Sequence, residues 1–273
     1  MVYLNEVFEN AWRNQNLFDT VEALEGTVYR ALEARRTIRF DLAGKRYFAK
    51  IHAGVGWREI LKNCLQLRKP VLGASNEWLA LRKLKEIGIQ TLTPVAYGLD
   101  GWNPAKIRSF IVTEALEGTI SLEDHCKDWP ANPPSFSHKK RLINRVATIS
   151  RLLHENGINH RDYYICHFLL DRAKLNEGEP ALYLIDLHRA QIRATTPLRW
   201  RVKDIGELLF SVMDLNPTER DFYRFIKIYT NKSLPQAFAE DRPFWQGVMG
   251  RARRLYLQDH SGLPEWFQRL ASK

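Results

Sequence analysis

Cysteine is scarce in this chain: Cys64, Cys126 and Cys166 are the three in 273 residues. They are odd in number and far apart. They build neither a disulfide framework nor a CxxC metal knuckle, so a reducing compartment is expected. Long apolar runs are missing too. No stretch of 18 apolar residues occurs, so no membrane-spanning helix is expected. The opening segment MVYLNEVFENAWRNQ carries two Glu and no apolar h-region, so no secretory signal is expected. Internal repeats and low-complexity tracts are absent. Acidic residues are the minority charge: 31 Asp+Glu stand against 41 Lys+Arg, a formal +10 with a pI near 9.6. The 45% hydrophobic and 26% charged content is that of an ordinary globular chain, not a disordered one. The charge excess admits nucleic acid, an anionic membrane surface, or an acidic ligand or protein as partner. No nucleic-acid motif is present and the basic residues are not gathered on one helix, so nucleic acid is set aside.

What is there divides at the Pro-rich stretch WPANPPSFS, residues 129–137, which reads as a loop. Before it the chain is mostly strand-like. GTVYR, a turn at ALEAR, RTIRFDL with Ile38, Phe40 and Leu42 on one face, and RYFAKIH after an Ala43-Gly44-Lys45 turn predict a meander. GWREILKNCLQLRK, residues 56–69, has helical spacing at Ile60, Leu61, Cys64 and Leu65, and the spacing predicts a helix packed on its neighbours. A second helix, NEWLALRKLKEIG, is predicted with Ser75 or Asn76 as cap and Gly88 as stop. VAYGL and RSFIVTEAL add two strands. After the loop, SHKKRLINRVATISRLLHENG is the longest amphipathic helix, with Leu142, Ile143, Val146, Ile149, Leu152 and Leu153 as its stripe. HFLLD and ALYLIDL read as short strands. DIGELLFSVMDL, DFYRFIKIYT and FWQGVMGRARRLYLQ read as helices.

Four residues stand in a telling order: Lys50 in YFAKIH, Glu77 opening a helix, Asp162 in NHRDYYICH, and Asp186 in LYLIDLHRA. Phosphoryl transfer from a nucleotide needs a Lys to neutralise α/β-phosphate oxygens and a Glu to pin that Lys. It also needs an Asp to take the hydroxyl proton and a second Asp to hold the metal that bridges the phosphates. Singly, each is a common surface charge or turn residue; the ordered set is specific. The strings resemble the protein-kinase-like fold: HRD at His160-Arg161-Asp162, and IDL ending a strand with Asp186, 24 residues after Asp162. KDIGELLFS resembles the helix whose Asp, here Asp204, braces the catalytic loop. The expected fold class is therefore α+β and bilobal. An antiparallel-sheet N-lobe would span 1–117, with nucleotide binding and the helical insert 56–69. A mostly helical C-lobe, 118–273, would carry catalysis and acceptor binding.

Two features depart from a protein kinase. Five residues after Asp162, where an Asn would hold a second metal, stands His167. Imidazole is a poor Mg²⁺ ligand, which leaves open one metal on Asp186 alone or His167 as ligand of a phosphate or softer ion. Near the phosphate loop there is only Gly26, with Arg30, Arg35 and Arg36 as substitutes for backbone N–H groups. The interval from Asp186 to Asp204 is 18 residues and holds no APE motif, too little for a peptide platform. A small-molecule or glycan hydroxyl is the expected acceptor. Cys166-His167 finds no second cluster, so a buried Cys is expected there.

The segments RRTIRF, GVGWREILKN, PVLGASNEWLALRKL, SFIVTEAL, ISLEDHC, GINHRDYYICHFLL and LIDLHRAQIR together resemble the lipopolysaccharide core heptose(I) kinases of Gram-negative bacteria, from about residue 24 to about residue 230. His167 belongs to that pattern. The resemblance implies ATP and Mg²⁺ as cofactors and phosphorylation of the first heptose of the inner core. The acceptor is a lipopolysaccharide core–lipid A molecule, met by a cytoplasmic protein peripheral at the inner membrane's cytoplasmic face. By analogy adenine lies near Ala115-Leu116. Arg161, Arg189 and Arg193 are candidates for the carboxylates of Kdo, the sugar acid of the core. Trp57, Arg58, Lys62, Arg68 and Lys69 are weighed as contacts to an anionic core or membrane interface, against the packed-helix reading. An acidic partner protein stays open. Two other readings are carried: another small-molecule kinase on this fold, of Kdo-kinase or aminoglycoside-kinase type, or a non-catalytic basic binding protein.

Overall fold

The computed structural model describes residues 1–32, 35–65, 72–175 and 178–271. They form two units. The first contains Met1–Lys85, Leu92–Glu117 and Asp186–Arg189; the second contains Glu86–Thr91, Gly118–Ile185 and Ala190–Lys273. The first unit thus gathers three stretches of the chain, the short Asp186 segment among them.

In the first unit, β1 (Val2–Leu4), β2 (Thr27–Leu32), β3 (Arg35–Leu42), β4 (Lys45–His52), β5 (Pro94–Asp100) and β6 (Arg108–Glu114) form one antiparallel sheet. The strand order is β1-β5-β6-β4-β3-β2. Period-2 alternation sorts its side chains. Ile38 and Phe40 on β3, Tyr47, Ala49 and Ile51 on β4, and Phe110 and Val112 on β6 are buried in one core. Short helices α1 (Glu6–Ala11) and α2 (Leu17–Glu22) add Phe8, Trp12 and Val21 to that core. Both are capped by Asn side chains, Asn5 and Asn16. Alternation puts Phe48, Lys50 and His52 on the other face of β4.

Helix α4 (Ser75–Glu86) buries Glu77, Trp78, Ala80, Leu81 and Leu84. Ser75 opens this helix, but its hydroxyl bonds the Tyr97 hydroxyl (2.9 Å). Among the described residues the insert is packed only in part. Helix α3 (Gly56–Leu65) buries Ile60, while Leu61 and Leu65 are 59% and 86% exposed and Trp57 is exposed as well. Helical spacing identifies a stripe, not its partner. Residues 66–69, with Arg68 and Lys69, lie outside the described residues.

In the second unit, β7 (Thr119–Ser121), β9 (Phe168–Asp171) and β10 (Leu182–Leu184) make a three-stranded sheet, and β8 (Ile158–Asn159) pairs β11 (Gln191–Ile192). Seven helices complete it: α5 (Leu122–Cys126), α6 (Phe136–Glu155), α7 (Leu198–Ser211), α8 (Glu219–Thr230), α9 (Leu234–Glu240), α10 (Arg242–Asp259) and α11 (Glu265–Ala271). Ser135 caps α6, whose stripe buries Leu142, Val146, Ile149 and Leu153. Gly157 ends it with φ 74°, and a Cβ there would stand 1.9 Å from the Arg193 carbonyl oxygen. Only glycine fits that crossing. Among the described residues no helix is long and apolar enough to cross a membrane.

Candidate active site

The first unit carries a cation held by two carboxylates. Lys50 Nζ donates to Glu77 Oε1 at 2.7 Å and lies 3.4 Å from Asp186 Oδ1. Glu77 is 1% exposed, so without its partner it would be a buried charge costing several kcal/mol. Asp186 Oδ1 also accepts from His188 Nδ1–H at 2.7 Å. Asp186 has φ 60°, a left-handed backbone rare outside glycine. His52, two residues along β4 from Lys50, is 4% exposed. Burial first, then the charges of Arg35, Lys50 and His188, push its imidazole down to about 3, so it is neutral. His52 was not singled out in the sequence, because Arg35 and His188 come beside it only in the folded chain.

The second unit holds the HRD turn. Asp204, fully buried on α7, accepts the His160 N–H (2.6 Å), the Arg161 N–H (2.9 Å) and His154 Nε2–H (3.3 Å). Burial pushes the Asp204 carboxyl up, but its hydrogen bonds from His154 and His160 outweigh that and hold it below the usual range. Lys203 Nζ donates to the Arg161 carbonyl, so the backbone of Arg161 is gripped on both sides of its Cα. Arg161 is thereby kept at φ 77°. His160 Nε2–H donates to the Ile185 carbonyl at 2.9 Å, leaving Nδ1 to accept the Asp162 N–H at 3.4 Å. His167 Nδ1–H donates to the Asp162 carbonyl at 2.7 Å, and its ring stacks on His160 with centroids 5.6 Å apart. Two imidazoles therefore hold the backbone of Asp162 from both sides. His167, expected near a metal or phosphate, has Nδ1 committed to this loop.

The remaining candidates fare differently. Ala115 and Leu116 follow β6 directly, but the Ala115 N–H is already donated to the Arg46 carbonyl (3.0 Å). Arg36 Nη2 donates to the Glu22 carbonyl, at the end of α2, and to the Leu24 carbonyl just beyond it. Gly26 is required because a Cβ there would sit 2.1 Å from the Arg39 carbonyl oxygen. Cys166 is half-buried, not buried. Arg161 and Arg193 meet at Trp200 in the second unit, whereas Arg189 belongs to the first. The second unit also has a partly open apolar pocket of about 140 Å³ among Leu122, Leu142, Val146, Ile165, Leu208 and Phe222.

Residues 19–229 match the model of the lipopolysaccharide kinase (Kdo/WaaP) family. The chain is 49% identical over 253 residues to the lipopolysaccharide core heptose(I) kinase WaaP of Escherichia coli, covering 92% of this chain and 94% of that protein. It is 45% identical over 271 residues to the same kinase of Pseudomonas aeruginosa, covering 99% and 94%. A solved structure, WaaP in complex with acyl carrier protein, superposes with a TM-score of 0.83 at 41% identity, covering 94% of this chain and 99% of that one.

Proposed function

The chain belongs to the lipopolysaccharide kinase (Kdo/WaaP) family, and on that premise we propose that it transfers the γ-phosphoryl group of ATP to a hydroxyl of the first heptose of the lipopolysaccharide inner core. One observation carries the reading: Lys50 tied at once to the helix glutamate Glu77 and to Asp186.

Asp162 accepts the proton of the heptose hydroxyl and orients it. In a loose transition state orientation and charge neutralisation matter more than base strength. The backbone grip on Asp162 by His160 and His167 is the orienting device. Lys50 takes the α/β-phosphates, and Glu77 keeps its ammonium in place. Asp186 offers a hard, partly exposed carboxylate, which fits Mg²⁺. In the second unit, His167 keeps the role of a softer candidate ligand through Nε2, its Nδ1 being bonded to the Asp162 carbonyl. Asp186 would hold the ion, which would supply positive charge to the phosphate oxygens. Adenine is assigned to the strand end at Ala115-Leu116, with Ala115 contributing groups other than its N–H. Relatives at 45–49% identity over nearly their whole length favour the heptose acceptor over other small-molecule acceptors.

The partners follow from charge and apolar surface. The +10 charge suits an anionic membrane face and an acidic protein. Exposed Trp57, Leu61 and Leu65 beside Arg58 and Lys62 suit α3 to an interfacial contact, which supports a peripheral position at the cytoplasmic face of the inner membrane. A relative solved in complex with acyl carrier protein supports an acidic protein as partner here.

The direct test is mass spectrometry of core oligosaccharide after incubation with ATP and Mg²⁺. One phosphate gained on the first heptose is expected, and Asp162→Ala should lose the gain while still binding nucleotide. Near-normal turnover of that variant would refute the assignment of Asp162.

A further inference from the structure

Three guanidinium groups converge on one indole in the second unit. The Cζ atoms of Arg161, Arg193 and Arg199 lie 5.3, 5.8 and 5.2 Å from the Trp200 ring centroid. The indole face attracts each cation, worth about 0.5–2 kcal/mol apiece. That does not cancel the mutual repulsion of cations gathered this closely. Arg193 and Arg199 form no ion pair among the described residues. The Arg193 guanidinium donates only to neutral oxygens, Asn159 Oδ1 and Gln191 Oε1. Burial and the nearby Arg199 both disfavour its charge.

The cluster is built, not incidental. Arg161 is 7% exposed and its backbone is fixed from both sides by Asp204 and Lys203. Arg193 is tied into the Gly157 crossing by its N–H. Asn159, which holds Arg193, is fully buried, and its Nδ2 has no hydrogen-bond partner. Arg199 and Trp200 stand in the first turn of the 14-residue helix α7, whose N-terminal N–H groups receive no side-chain cap. The unpartnered Asn159 Nδ2 and the uncapped start of α7 favour a bound anion beside these cations.

We propose that Arg161, Arg193, Arg199 and Trp200 form an oxyanion subsite that binds the carboxylate of a sugar acid next to the phosphorylated heptose. Arg161 immediately precedes Asp162 in the chain, so the acid is gripped one residue from the proton acceptor. The assignment to a sugar-acid carboxylate rests on the heptose reading above. It replaces Arg189 of the sequence expectation with Arg199 and adds Trp200.

Two acceptors test it: a heptosyl sugar-acid disaccharide and the same compound with its carboxylate reduced to an alcohol. In the R193M/R199M double variant, KM for the carboxylate acceptor rises about tenfold or more. KM for ATP and turnover of the reduced acceptor stay at wild-type values. An equal loss on both acceptors, or no loss on either, overturns the proposal. Direct binding is read by ¹⁹F NMR on the full chain labelled with 5-fluorotryptophan, the Trp200 resonance being the one missing in W200F. The free sugar acid shifts that resonance in the wild type and not in the double variant, and the carboxyl-reduced sugar does not shift it. A resonance that stays still in the wild type sinks the subsite. A shift without phosphorylation of either acceptor keeps the subsite and removes the heptose reading. If inorganic phosphate saturates the site at lower concentration than the sugar acid, the carboxylate assignment falls.

Discussion

At the scale of residues, the site depends on charges that burial makes costly to leave alone. Removing the Glu77 charge with Glu77→Gln should loosen Lys50 and raise the KM for ATP severalfold. The thermal melting point should change little, because the neutral amide also relieves a buried charge. Steady-state kinetics beside a melting curve checks both halves. Asp204→Asn is different: it leaves donor groups of His160, Arg161 and His154 against an amide that itself brings two N–H donors. A loss of about 3–5 kcal/mol is expected in denaturant unfolding, with turnover falling alongside. His52 predicts a pH dependence. Its folded value, about 3, lies below the ordinary 6.5, so the unfolded chain binds the extra proton between them. Stability from this group is complete above pH 6.5 and falls as pH drops towards 3, by at most about 1.4 kcal/mol per unit. Unfolding free energies at pH 7, 6, 5 and 4 should show that slope, and His52→Gln should flatten it. Lys50, Glu77, Asp162 and Asp186 were legible in the sequence because each sits in its own short string. His188, Arg199 and Trp200 were not, because their roles depend on which way side chains point in the folded chain.

At the scale of elements, the readable parts were those with a period and a stop. Helix α6 has both, and Gly157 marks its end. Gly157→Ala forces a methyl into the Arg193 carbonyl at a left-handed φ, so a loss above about 1 kcal/mol is expected, measured as a fall in melting temperature. Helices α1 and α2 were illegible. They are six residues each, too short for a 3.6-residue period to show, and their Asn caps are also ordinary turn residues. Strand β1 is three residues long and exists through its pairing with β5. Helix α3 shows the opposite failure, a clear apolar stripe left largely in solvent. Leu61→Ser with Leu65→Ser should therefore leave stability within about 0.5 kcal/mol of the parent. Binding to anionic liposomes should drop severalfold in sedimentation, and unchanged binding would remove the membrane role of α3.

At the scale of the whole molecule, the +10 charge acts on encounter, not on fold. Association with an acidic carrier protein or a polyanionic acceptor should weaken steeply between low and physiological salt. Turnover of a small uncharged acceptor should hardly respond over the same range. The sequence by itself determined the reaction class, because the order Lys, Glu, Asp, Asp and the short interval after Asp186 are properties of the chain. It also determined the α+β composition, because alternation and helical period are local. Only the tertiary structure decided which charges are partnered and which surfaces stay bare. It set Lys50 between Glu77 and Asp186, turned His167 onto the Asp162 backbone and gathered three arginines on Trp200. The physical reason is that burial and pairing energies arise between residues far apart in the chain, and a local pattern carries no record of where its opposite surface lies.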